Sequence, residues 1–164
     1  MTSASVTVAG TVPAVGEPAP DFELVNQFGE PVTLTGLRGR TAVLVFFPFA
    51  FSGICTGELC EIRDNLALFE DADAVVVGIS VDSKFSQRAY AEKEGYTFDL
   101  LADFWPHGDA ATRYGVFDPE SGMARRGTFI IDASGIVRYV VVNPRGQARD
   151  FAEYRAALAG LAGS

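Results

Sequence analysis

Phe46-Phe47-Pro48-Phe49-Ala50-Phe51-Ser52-Gly53-Ile54-Cys55-Thr56-Gly57-Glu58-Leu59-Cys60 is the stretch from which the rest of the chain can be read. Upstream, residues 41–47 form a short apolar run rich in Val, Leu and Phe, the pattern of a buried strand. Downstream, Leu59, Ile62, Leu66 and Phe69 recur at spacings of three and four, which predicts an amphipathic helix over about 56–70. Pro48 and Gly53 punctuate the turn between the two. Cys55 therefore falls where a core strand hands over to the first turn of a helix, in phase with Leu59 and Ile62, so that its sulfur is expected to point inward. The free N–H groups and the dipole at a helix start favour an anion, which makes this a place where a thiol becomes reactive.

Composition narrows the surroundings of that thiol. A chain of 164 residues with 48% hydrophobic residues is expected to form one domain with a full core. The net charge of −8 argues against a nucleic-acid surface or an anionic membrane surface, which call for clustered Lys and Arg. The longest apolar run, 42–51, is interrupted by Pro48 and is too short to span a bilayer. Residues 1–13 lack the basic start and sustained apolar centre of a signal peptide. Two cysteines five residues apart do not make a disulfide framework, so a reducing, cytoplasmic location is expected. The single histidine, His107, reads as a loop residue, and two cysteines at this spacing with one distant histidine do not predict a zinc site or any other cofactor.

Taken in order, residues 1–15 read as a flexible extension and 16–164 as a single domain. Residues 22–34 suggest a small hairpin turning near Asn26 to Pro31. The strand at 41–47 and its helix are followed by a Val- and Ile-rich inner strand at 74–81. A polar helix over 85–94 would be capped by Asp82 or Ser83 and closed by Gly95. A strand at 97–102, a loop at 103–108 and a short helix at 110–114 stopping at Gly115 come next. The β-rich runs 127–132 and 136–142, joined by Ala133-Ser134-Gly135, read as a hairpin. Asp150 and Glu153 make a capping-box-like pair for a last helix whose stripe is Phe151, Tyr154, Leu158 and Leu161. This order is that of a thioredoxin-like α/β fold, a central mixed β-sheet covered by helices on both faces with an N-terminal β-hairpin.

Pro48-x-x-x-Ser52-x-x-Cys55 resembles the active-site signature of the peroxiredoxins, P-x-x-x-[T/S]-x-x-C. Glu58 three residues after the cysteine, Arg126 in Arg-Gly-Thr-Phe-Ile-Ile-Asp, and the order of strands and helices extend the resemblance from about Pro18 to Leu161. The stretches 46–58, 102–117 and 127–132 are most similar to the alkyl hydroperoxide reductase E branch. Cys60 departs from it and is placed as in the bacterioferritin-comigratory branch, whose members often resolve through that position.

The resemblance implies a thiol-dependent peroxidase acting on hydrogen peroxide and organic hydroperoxides. In it Cys55 attacks the peroxide O–O bond as a thiolate and becomes a sulfenic acid. Arg126, a permanent cation, would hold the thiolate and the charge that develops as the bond breaks. Ser52 would exchange hydrogen bonds with the peroxide, Pro48 would shield the thiolate from water, and Glu58 would hold the arginine. Cys60 would resolve the sulfenic acid as an intramolecular disulfide. The reductant would be thioredoxin, a glutaredoxin-like protein or a low-molecular-weight thiol. The resemblance also implies a homodimer, for which Phe104, Trp105 and Tyr114 offer a candidate apolar patch.

Plainer readings stand beside these. A lone buried cysteine is more often packing than catalysis, and the signature is what lifts Cys55 out of that class; Cys60 is open to either reading. Arg125 could be mistaken for Arg126, and the following Gly-Thr favours the latter. The phenylalanines at 46, 47, 49 and 51 are expected mostly in the core, with Phe49 and Phe51 as possible walls of an apolar entrance. The alternative function is a peroxide-sensing thiol-switch protein. A disulfide reductase is a third reading, weakened by the missing Cys-x-x-Cys.

Overall fold

The computed structural model describes residues 11–143 and 151–162, without the side chains of Ile54, Cys55, Thr56, Phe151 and Ala162. In chain order the elements are β1 (Glu23–Val25), β2 (Pro31–Thr33), β3 (Thr41–Phe46), α1 (Gly53–Asp64), α2 (Leu66–Asp71), β4 (Ala74–Ser80), α3 (Lys84–Glu94), β5 (Asp99–Ala102), α4 (Asp109–Arg113), β6 (Phe117–Asp118), β7 (Met123–Ala124), β8 (Arg126–Ile131), β9 (Val137–Asn143) and α5 (Phe151–Ala162). A 3-10 turn at Thr35–Leu37 joins β2 to β3.

Seven strands form one mixed sheet in the order β2-β1-β5-β4-β3-β8-β9. The β5-β4-β3 centre is parallel, and β8 and β1 flank it antiparallel. The hairpin expected at 22–34 is present and joins this sheet through Val25 and Ala102. Period-two alternation divides the core. Ala42, Leu44 and Phe46 of β3 enter one cluster with Tyr114, Ala110 and Ala111, while Val43, Val45 and Phe47 enter another with Leu59, Ile62, Phe69, Tyr90 and Leu158. Helices α1, α2, α3 and α5 thus cover one face and α4 the other. The α/β class and thioredoxin-like architecture stand as expected.

The differences are local. The helix expected over 56–70 begins at Gly53 and breaks at Asn65, giving α1 and α2. The Asn65 side-chain amide donates to the Glu61 carbonyl at 2.8 Å, a local bond that competes with the helical ladder. The apolar stripe runs through the break because Leu59, Ile62 and Phe69 still face the sheet. Ser83, not Asp82, caps α3 by accepting from the Ser86 N–H, and Gly95 closes it with φ of 74°. The β6–β7 ribbon was not legible, being only two residues a side. Gly108 makes it possible: at φ of 72°, a Cβ there would lie 2.3 Å from the Phe117 ring. Val12 packs on the first core cluster and Pro13 is buried, so the packed chain begins inside the segment read as an extension, whose first ten residues lie outside the described ones. Asp150, the expected cap of α5, also lies outside them.

Candidate active site

The parallel strands β3 and β4 end side by side, and the loop after β3 crosses their carboxyl ends, where open α/β sheets place their ligands. This loop is held from both sides. The Phe47 N–H donates to the Ile79 carbonyl at 3.0 Å, and the Ala50 N–H donates to Asp82 Oδ2 at 2.8 Å. Asp82 also accepts from Ser80 Oγ at 2.6 Å, and Ser80 Oγ accepts from the buried Gln87 amide at 2.8 Å. Asp82, weighed as a helix cap, instead fixes the loop that leads to Cys55.

Two features of the loop's end are costly and local. Phe51 has φ of 69°, a left-handed conformation rare for a bulky side chain, worth on the order of 1–3 kcal/mol of strain. Ser52 follows in an extended conformation at the N-cap of α1, yet its side chain makes no capping bond. Its Oγ is buried and has no hydrogen-bond partner. A serine there ordinarily spends its hydroxyl on the helix's N–H groups; this one is left unspent. Cys55 lies in the first turn of α1, three residues beyond Ser52, and its side chain is outside the described residues.

Arg126 reaches this loop by strand register. Val45 pairs with Thr128, so β8 begins beside the carboxyl end of β3, just where Pro48 follows. Arg126 is 7% exposed and Glu58, from the second turn of α1, is 8% exposed. Arg126 Nε donates to Glu58 Oε1 at 3.3 Å. Removing either partner of such a buried pair costs about 3–5 kcal/mol, because the other charge is left in low dielectric. Arg125 is exposed, which settles which arginine is buried beside the loop. Pro48, itself buried, and Arg126 share a cleft of about 330 Å³ with Asp118, Met123, Ala124, Arg125, Val142 and Asn143. Pro48, Ser52, Glu58 and Arg126 therefore converge around the start of α1.

Cys60, one and a half turns further along α1, stands apart from the cleft. Its thiol donates to Glu94 Oε1 at 3.6 Å and lies 3.4 Å from the Tyr96 hydroxyl. Burial, followed by the bonds to Cys60 and Tyr90, pushes the Tyr96 phenol far above its usual range, so it stays neutral. Phe46 and Phe47 are in the core as expected, but Phe49 and Phe51 are 39% and 50% exposed. The loop turns them outward once Pro48 ends the strand. Sequence reasoning missed the β6–β7 ribbon, which supplies Asp118, Met123 and Ala124 to the cleft wall.

The AhpC/TSA family model matches residues 15–140. The chain is 47% identical over 148 residues to alkyl hydroperoxide reductase E of Mycobacterium tuberculosis, covering 90% of this chain and 97% of that one. Among solved structures it is similar to AhpC of Enterococcus faecalis, with a TM-score of 0.84, 27% identity and coverage of 92% and 93% of the two chains. It is also similar to the peroxidoxin BcpB of Mycobacterium tuberculosis, with a TM-score of 0.82, 32% identity and coverage of 91% and 98%. The chain belongs to the AhpC/TSA family, and like the peroxiredoxins among its relatives it is a thiol-dependent peroxidase.

Proposed function

We propose that Cys55 is the thiol that attacks the peroxide, with Ser52, Arg126 and Pro48 around the reacting oxygens and Glu58 holding the arginine. The observation that carries this reading is the buried Arg126–Glu58 pair beside Pro48 and the unpartnered Ser52 hydroxyl, all at the start of the helix that bears Cys55. Lowering a thiol pKa from ~8.5 to ~6 raises the thiolate fraction at pH 7 only about thirtyfold and requires about 3.4 kcal/mol of differential stabilisation. A helix N-terminus supplies ~0.3–1 kcal/mol, at most ~2, so the cation is needed as well. A more acidic thiol is also a weaker nucleophile. The rate therefore comes mainly from donors aimed at the O–O bond as it breaks, and the hydroxyl of Ser52 and the guanidinium of Arg126 are suited to that.

The substrates are hydrogen peroxide and organic hydroperoxides, whose apolar part the cleft between Pro48, Met123 and Val142 would accept. Cys60 then resolves the Cys55 sulfenic acid, and thioredoxin, a glutaredoxin-like protein or a low-molecular-weight thiol reduces the product. Residues 55 and 60 sit in one continuous helix, where five residues separate Cα atoms by roughly 8–9 Å, beyond the ~7 Å reach of a disulfide. The first turns of α1 must unwind for the bond to close, and Gly57, about 1 kcal/mol weaker than Ala in a helix, eases that. The enzyme works in the cytoplasm as a homodimer, with one catalytic domain that takes in residues 16–164 and the packed Val12 and Pro13 before it. Among the described residues no helix is long and apolar enough to cross a membrane.

Steady-state peroxide consumption tests the assignment. Cys55→Ser should abolish it, while Cys60→Ser should keep the first turnover and lose the disulfide. Retained turnover in Cys55→Ser refutes the proposal. Catalytic consumption with a thiol reductant also separates the peroxidase from a thiol switch, which would oxidise once and stop.

A further inference from the structure

The carboxyl end of α3 touches α1 and its approach loop at both ends of the segment that must unwind. Gly95 turns the chain back, and the Tyr96 N–H donates to the Ala91 carbonyl at 3.0 Å, so Glu94 and Tyr96 both face Cys60. One turn along α1, Arg63 Nη1 donates to the Glu94 carbonyl, one of the last acceptors of α3. At the other end, the Phe51 ring lies 4.9 Å from that of Tyr90, with Lys93 Nζ 5.8 Å from its centroid. Tyr90 and Tyr96 are themselves joined, edge to face at 5.2 Å and by a hydroxyl bond. Residues 51–63 are thus clasped by Tyr90, Lys93, Glu94 and Tyr96, with strained Phe51 at one end and Cys60 near the other.

We propose that Glu94 and Tyr96 are positioning residues that hold the Cys60 thiol in the reduced fold and set the rate at which it is released to the Cys55 sulfenic acid. This rests on Cys60 being the resolving thiol. In the step they govern, the Cys60 sulfur attacks the Cys55 sulfenic sulfur. The S–S bond forms, the S–O bond breaks, and the hydroxide leaves as water with the Cys60 proton. The competing step is attack by the same sulfenic sulfur, as its anion, on a second peroxide, which gives sulfinic acid and releases water or alcohol. Cys60 cannot move towards Cys55 while it remains bonded to Glu94 and Tyr96. A tighter clasp therefore favours sulfinic acid and a looser one the disulfide.

Tyr96→Phe and Glu94→Gln test this, the first keeping the ring stack on Phe98 at 5.2 Å and so the packing. Each variant is oxidised with one equivalent of hydrogen peroxide, then with excess, quenched by alkylation and weighed intact. The expected result is an unchanged rate of sulfenic acid formation, disulfide formation about two- to tenfold faster per variant, and less sulfinic acid under excess peroxide. A loss of packing alone would not redistribute the two products in this way. Disulfide formation in the parent chain with an unchanged or slower rate in both variants overturns the clasp and leaves Cys60 as the resolving thiol. A parent chain that forms no Cys55–Cys60 bond removes the resolving role, and the clasp with it.

Discussion

Ser52 spends nothing on the fold. Its hydroxyl is buried at a helix start with no partner, and a buried polar group left unsatisfied costs about 1–3 kcal/mol. Function and stability should therefore separate at this position. Ser52→Ala is expected to leave the protein as stable as its parent, or more stable by about 1 kcal/mol, while slowing Cys55 oxidation at least tenfold. Denaturant melts beside stopped-flow peroxide kinetics check both halves. A destabilised variant would mean that the hydroxyl caps α1, and an unchanged rate would remove it from the reaction. The sequence pointed to Ser52, Glu58 and Arg126 because a motif fixes residue types at intervals. It said nothing of the unspent hydroxyl or of which atoms pair across 68 residues, since both depend on the register of β8 against β3.

Elements were readable where a local chemical signal marks them. Ser83 and Gly95 bracket α3, and Ala133-Ser134-Gly135 turns β8 into β9, with Asp132 Oδ1 accepting from the Ser134 and Ile136 N–H groups. The break at Asn65 and the β6–β7 ribbon carried no periodic signal: a local bond from the Asn65 amide to the Glu61 carbonyl marks the first, and the close approach of Phe117 to Gly108 the second. Two carboxylates at such junctions titrate in opposite senses. Burial pushes Asp103, at the end of β5, up to about 6, although the Ala110 and Ala111 N–H groups pull it down. For Asp132 burial also raises, but the Ile136 N–H, the Arg138 guanidinium and the Ser134 N–H outweigh it and hold the carboxyl below its ordinary 3.8. A raised acid keeps a proton in the folded state that the unfolded chain has released. The contribution of Asp103 is thus full below pH 3.8 and is lost as pH rises through about 6. A depressed acid does the reverse, so Asp132 stabilises above pH 3.8 and that stability is lost as pH falls. Asp132→Asn is expected to cost about 1–2 kcal/mol at pH 7, and the gap should narrow at pH 3. Urea melts at the two pH values measure it. An equal gap at both would show that the hairpin does not use the charge.

At the scale of the whole molecule, the surface carries an aromatic cluster that the core does not need. Trp105 is 81% exposed, Phe85 75% and Phe104 53%, and together with Val25, Lys84 and Ala102 they line a shallow cleft of about 300 Å³. Tyr114, expected in this patch, is fully buried: its ring packs on Phe46 and Phe129, and its hydroxyl donates to the Pro20 carbonyl at 2.6 Å. Neighbourhood in the sequence suggested the grouping, but after a helix as short as α4 the pattern cannot say which way the capping side chain of Tyr114 turns. The correction leaves a narrower candidate interface, the loop after β5 with the start of α3. A large aromatic buries about 150–250 Å² when covered completely, and because Phe85, Phe104 and Trp105 still expose 75%, 53% and 81% of their surface, covering them would supply about half of the roughly 800 Å² per partner of a standard interface. A chain with a net charge of −8 repels its own copies over the rest of its surface, which makes an apolar face the place for them to meet. Light scattering at micromolar concentration is expected to give twice the 17.5 kDa mass of one chain, and Trp105→Glu is expected to return it to the single mass. A parent chain that is monomeric would end the dimer assignment, whereas a dimer that survives both Trp105→Glu and Phe85→Glu would place the interface on another face.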